Sequence, residues 1–198
     1  YLSAPLNTSY GLYRYSGFKE GLAQNRLNFD ENMVVANIQE QSDTVAALDR
    51  LMANFSGDTF PTAIVTANDH LALQVIQELR NRGLSVGSDR ERGNVAVTGF
   101  DDLPFASYIQ PGLTTVRQPI ATISDILLDL LVDMIKSESD SKRKSLAESG
   151  HMQDGAEKST QQKKAVEARK RTNADPHIRW IGPMQALVEP ELIVRASA

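Results

Sequence analysis

VAVTGFDDLPF, residues 95 to 105, climbs through an apolar run to a glycine and an aromatic, then sets two aspartates side by side before a proline. A continuous apolar run of this kind reads as a strand buried on both faces, as strands of parallel sheets are. Asp101 and Asp102 then fall just past its carboxyl end. Five roles fit such a pair taken alone: loop solubility, a helix cap, a metal site, a catalytic pair or a ligand clamp.

Working outward, the same pattern recurs on both sides. TAIVTA, residues 62 to 67, is a second buried strand. Asn68 or Asp69 caps the helix after it, with Leu71, Ala72, Val75, Ile76 and Leu79 on the core side, and Gly83 ends it in the left-handed region. Upstream, YLSAPL reads as the end of a strand and its loop, and Thr8 or Ser9 caps a helix with Tyr15, Phe18 and Leu22 on one face. NMVVANI, residues 32 to 38, is a short β-branched run, and Asp43 opens a helix that turns Val45, Leu48 and Leu51 or Met52 inward. Downstream, LTTV, residues 113 to 116, is a fourth run; Pro119 suits a first helical turn, and Ile120, Ile123, Leu127, Leu130, Leu131 and Met134 form one stripe.

Strands alternating with helices predict an α/β fold with a parallel sheet and helices on both faces. In such sheets ligands bind beyond the carboxyl ends of the strands, which puts Asn68 and Asp101 at binding-prone positions. Arg14 joins them for a different reason. It lies in the first turns of a helix, where the macrodipole disfavours a cation by a few tenths to about 1 kcal/mol, so a carboxylate or an oxygen-rich ligand should offset that cost. A carboxylate, a guanidinium and an amide together supply acceptors and fixed donor forks suited to vicinal hydroxyls.

Composition narrows the function classes. The chain has 198 residues, enough for one ordinary domain or parts of two. The net charge of −4 argues against a dominant nucleic-acid surface, and the lack of cysteine excludes disulfides and thiol chemistry and fits a cytosolic setting. No stretch approaches a membrane-spanning length. The histidines His70, His151 and His177 are far apart, Walker, HExxH and GxGxxG motifs are absent, and neighbouring aspartates on one turn diverge. We therefore expect no metal, no cofactor and no catalysis. Asp125, Asp129 and Asp133 read as a solvated acidic stripe.

The segments PTAIVTANDHLALQVIQELRNRGLSVGSD, VAVTGFDDLPFASYIQPGLTTVRQPI and PELIVR, with the opening YLSAPLNTSYGLYRYSGFKEGL, resemble the lac repressor family of transcription regulators. The likeness is to the sugar-sensing core, which has the type I periplasmic-binding-protein fold, over residues 1 to about 136 and 184 to 198. It implies an effector site of Arg14, Asn68, Asp101 and Gln118. It implies a homodimer surface including Leu71, Gln74, Val75, Phe105, Tyr108 and Ile109. The effector would be a small molecule, most naturally a sugar. The family's aromatic platform falls near Ile38 or Gln39, where this chain has no aromatic. A periplasmic sugar-binding protein of a transport system is the rival on the same fold.

The resemblance also sets the expected organisation. Residues 1–118 would form the C-terminal effector-binding subdomain, and 119–136 a return helix of an otherwise incomplete N-terminal lobe. Residues 137–178 would be a polar, disordered insertion, in which QKKAVEARKR, 162 to 171, could form a short exposed helix. Residues 179–198 would be a terminal strand and tail. Because Tyr1 opens straight into an apolar segment, we expect a chain that starts in mid-fold, with operator DNA bound only through a domain upstream of it.

Overall fold

The computed structural model describes residues 1–55, 59–89, 94–148, 175–182 and 185–198. The chain divides into two units: Tyr1–Arg117 with Glu191–Ala198, and Gln118–Pro190.

The first unit is built from strand–loop–helix repeats. Helix α1, Ser9–Gln24, starts at Thr8, whose Oγ1 accepts from the Gly11 N–H at 3.2 Å. Helix α2, Gln41–Asn54, begins ahead of Asp43, because Asp43 sits inside the first turn and reaches back to the N–H groups of Gln39 and Glu40 at 2.9 and 3.0 Å. The strand expected over residues 32 to 38 shrinks to one bridge at Val35. A local turn wins there: Asp30 caps Glu31–Met33 by accepting from the Asn32 N–H, and Asn37 takes a positive φ of 66°.

Strand β1, Ala63–Val65, pairs in parallel with β2, Ala96–Thr98, with Ile64 opposite Val97. Parallel bridges extend the array, Leu2 to both Val35 and Thr66, and Thr98 to Thr114. Between β1 and β2 runs α3, Asp69–Asn81. It ends as the glycine predicts: Gly83 has φ 77°, its N–H bonds Arg80 O, and the Leu84 N–H reaches Leu79 O, both at 2.9 Å. The sheet is not parallel throughout, since β3, Thr115–Arg117, pairs antiparallel with the late strand β6, Glu191–Ile193.

The core of this unit holds Leu2, Leu48, Ile64, Ile76, Leu79, Val97 and Leu113. Leu71 and Val75, expected on a subunit surface, belong to this core at 6% and 0% exposure. The helical period requires it: 71, 72, 75, 76 and 79 make one stripe, and that stripe faces the sheet.

In the second unit α4 spans Ile120–Glu148, continuing past the expected end near residue 136. Strands β4, Ile178–Gly182, and β5, Gln185–Val188, form an antiparallel pair, so the expected tail strand is in fact three strands shared between the units. An open apolar groove of about 450 Å³ runs between Ile123, Ile126, Leu127 and Leu130 of α4 and Ile181, Ala186, Leu187 and Val188 of the hairpin. Of the polar insertion expected over 137–178, residues 149–174, with the QKKAVEARKR run, lie outside the described residues. Among the described residues no helix is long and apolar enough to cross a membrane.

Candidate functional site

Three loops leave the carboxyl ends of neighbouring parallel segments: one after Leu2, one after β1 and one after β2. Each delivers one of the expected polar groups. Arg14, on α1, donates through Nη1 to Ala67 O at 2.5 Å and through Nη2 to Asp101 Oδ1 at 3.0 Å. Its guanidinium carbon lies 3.9 Å from the centre of the Phe100 ring and 5.6 Å from that of Tyr10. A carboxylate, a carbonyl and an aromatic face together offset the unfavourable placement of a cation early in a helix. The pair is partly open, Arg14 at 19% and Asp101 at 25% side-chain exposure, so both charges remain within reach of a ligand.

Asn68 follows Ala67 directly and caps α3, its Oδ1 accepting from the Leu71 N–H at 2.8 Å. With the oxygen committed to the helix, the NH2 group supplies the donors of the Asn68 side chain. Gln118, the fourth expected residue, is the first residue of the second unit.

The two adjacent aspartates take separate jobs because the backbone turns sharply between them. Asp101 and Asp102 have φ values of 116° and 51°, in the region that disfavours side chains. Asp101 faces Arg14. Asp102 faces the other way, accepting from Arg117 Nε at 2.7 Å and pairing with Arg195 Nη2 at 2.9 Å. Arg195 also donates to Leu113 O at 2.7 Å, and Arg117 meets Glu191 at 3.2 Å. Burial works against the Asp102 charge, yet the two arginines outweigh it and hold the carboxyl below the ordinary 3.8.

A third acid, Asp69, lies fully buried beneath the loop. It accepts from the Thr115 hydroxyl at 2.5 Å and from the Leu103 N–H at 2.7 Å. Burial raises its pKa above 3.8, with a smaller contribution from the charges of Asp101 and Asp102, against the two hydrogen bonds. Sequence reasoning treated Asp69 only as an alternative cap and passed over Arg117, Arg195, Phe100 and Tyr10. The available signal was the acid just inside a helix that a buried strand feeds directly. Among the described residues no cluster of three or more His, Cys, Asp or Glu forms a metal site.

The residues expected on a dimer surface separate here. Gln74 accepts from Thr44 Oγ1 at 2.6 Å, tying α3 to α2, and Ile109 packs on the core. Phe105 meets the exposed His70 ring edge-on at 5.2 Å, and Tyr108 is 82% exposed.

A family model described as periplasmic binding protein-like domain matches residues 2–156. The chain is 30% identical over 142 residues to an HTH-type transcriptional repressor PurR of Vibrio atlanticus, covering 72% of this chain and 40% of that protein. It is 28% identical over 134 residues to the ribose operon repressor of Escherichia coli, covering 68% and 38% respectively. Among solved structures, a regulatory protein of the LacI family from Chloroflexus aggregans superposes with a TM-score of 0.54 at 32% identity, over 61% of this chain and 41% of that one. The chain thus spans about 40% of the length of these relatives.

Proposed function

The chain belongs to the periplasmic binding protein-like domain family, in the form found in regulators of the lac repressor family, and on that premise we propose that it senses a small-molecule effector for a transcription regulator. The observation that carries this reading is the part-open Arg14–Asp101 pair beside Asn68, at the carboxyl ends of parallel segments. An acceptor, a donor fork and an amide suit a polyol, and we take the effector to be a sugar. Its binding would favour one arrangement of the regulator over another and so change operator affinity, a coupling between distant sites. Operator contact we assign to a separate DNA-binding part of the intact, cytoplasmic regulator. Homodimerisation we assign to the surface around the exposed Tyr108 and the half-buried Phe105 and Ile109. Sensing rather than catalysis is favoured by the commitments of the nearby acids, since Asp102 is held by two arginines and Asp69 by two donors. The repressor relatives favour regulation over a transport role on the same fold.

Asn68→Ser separates cap from contact, because serine caps as well as asparagine but has no NH2. We expect the melting temperature to stay within about 2 °C of wild type. Calorimetric affinity for any sugar that binds should fall about tenfold, the worth of one good hydrogen bond to a polar ligand. Undiminished affinity in the variant would remove Asn68 from the site.

A further inference from the structure

We infer that Asp69 is a positioning residue of this site: its buried carboxylate fixes the turn that aims Asp101 at Arg14. Asp69 grips the loop on both sides of the paired acids. Its own N–H donates to Phe100 O at 2.9 Å, and its Oδ2 accepts from the Leu103 N–H at 2.7 Å. Between those anchors sit Asp101 and Asp102, two consecutive residues in the left-handed region, a conformation that persists only where the surroundings hold it. The other oxygen accepts from Thr115 Oγ1, which fixes the carboxylate against β3. An acid serving only the helix dipole would be solvated, whereas Asp69 is 0% exposed and spends both oxygens on segments 34 and 46 residues away. Gly99 leaves the room this needs, since a Cβ there would run into Asp69 Oδ1.

The consequence for effector binding rests on the sensing reading above, but the positioning itself is measured without any ligand. The probes are hydrogen exchange of the Leu103 amide and of the Arg14 guanidinium, read by ¹⁵N NMR on the whole chain. Asp69→Ala should speed both by at least about tenfold, while the α2 amides of Leu48 and Leu51 stay within about threefold of wild type. Asp69→Asn, which keeps one acceptor for the Leu103 N–H, should leave both probes within about threefold. Should Asp69→Ala not fold, Thr115→Val removes one of the two contacts in an isosteric side chain, and should still speed the Arg14 probe by more than about threefold. A folded Asp69→Ala or Thr115→Val protein with Arg14 exchange as slow as wild type would overturn the inference, leaving Asp69 a purely structural acid. Neither result depends on whether a sugar binds, so the sensing reading stands or falls separately.

Discussion

At Asp102, burial and pairing pull in opposite directions, and pairing wins. Its side chain is 8% exposed and shared between Arg117 and Arg195, which brings β3 and the terminal segment together under the loop. A carboxyl held below its ordinary value of 3.8 contributes stability that is present above that pH and is lost as pH falls through the folded-state value. Asp69 has the opposite sign: its raised pKa favours the folded state most when protonated, and that contribution fades as pH rises. Asp102→Asn should therefore cost about 2 kcal/mol at pH 7, and the gap to wild type should close as the pH is taken well below 4. Urea unfolding at pH 7 and pH 3 checks this; a gap independent of pH would show that the arginines do not act on the charge. The division between Asp101 and Asp102 was legible in the sequence, because neighbouring side chains on one turn must diverge. The role of Asp69 was not, because it is defined by partners on two distant segments that no local pattern joins.

Among the elements, caps and periods were the readable part. Thr8, Asn68 and Gly83 act where short polar or flexible residues border apolar stripes. The run at residues 32 to 38 misled because β-branched content competes with turn chemistry, and the turns at Asp30 and Asn37 prevailed. The extension of α4 through residues 137–148 was also missed, since polar composition alone does not oppose a helix that is already started. Glycines give the sharpest test at this scale. A Cβ on Gly99 would press into Asp69 and lie 3.0 Å from Leu113 Cδ2, while one on Gly17, inside α1, meets nothing within 4 Å. Gly99→Ala should destabilise by about 1–3 kcal/mol through overpacking, whereas Gly17→Ala should stabilise by about 0.5–1 kcal/mol through helix propensity. Thermal unfolding of the two variants should move in opposite directions; a shared direction would contradict the contact assigned to Gly99.

For the molecule as a whole, the alternation of buried runs and amphipathic helices made the fold class readable, and the rule for parallel sheets pointed to the loops that matter. What that reading left out was the return of the chain. Glu191–Ala198 belongs to the first unit: its β6 pairs with β3, and its Arg195 reaches Asp102. That return was hidden because the intervening stretch is long and polar. Arg14, Asn68 and Asp101 all belong to this one unit, so their response to a ligand can be followed residue by residue. The most direct measurement is a ¹H–¹⁵N NMR titration of the chain with millimolar ribose and glucose, repeated with Asp101→Asn. The account predicts saturable shifts confined to the first turns of α1, to Ala67 and Asn68, and to residues 100–103, all lost in the variant. Saturable shifts on another surface, or shifts that survive Asp101→Asn, would contradict it.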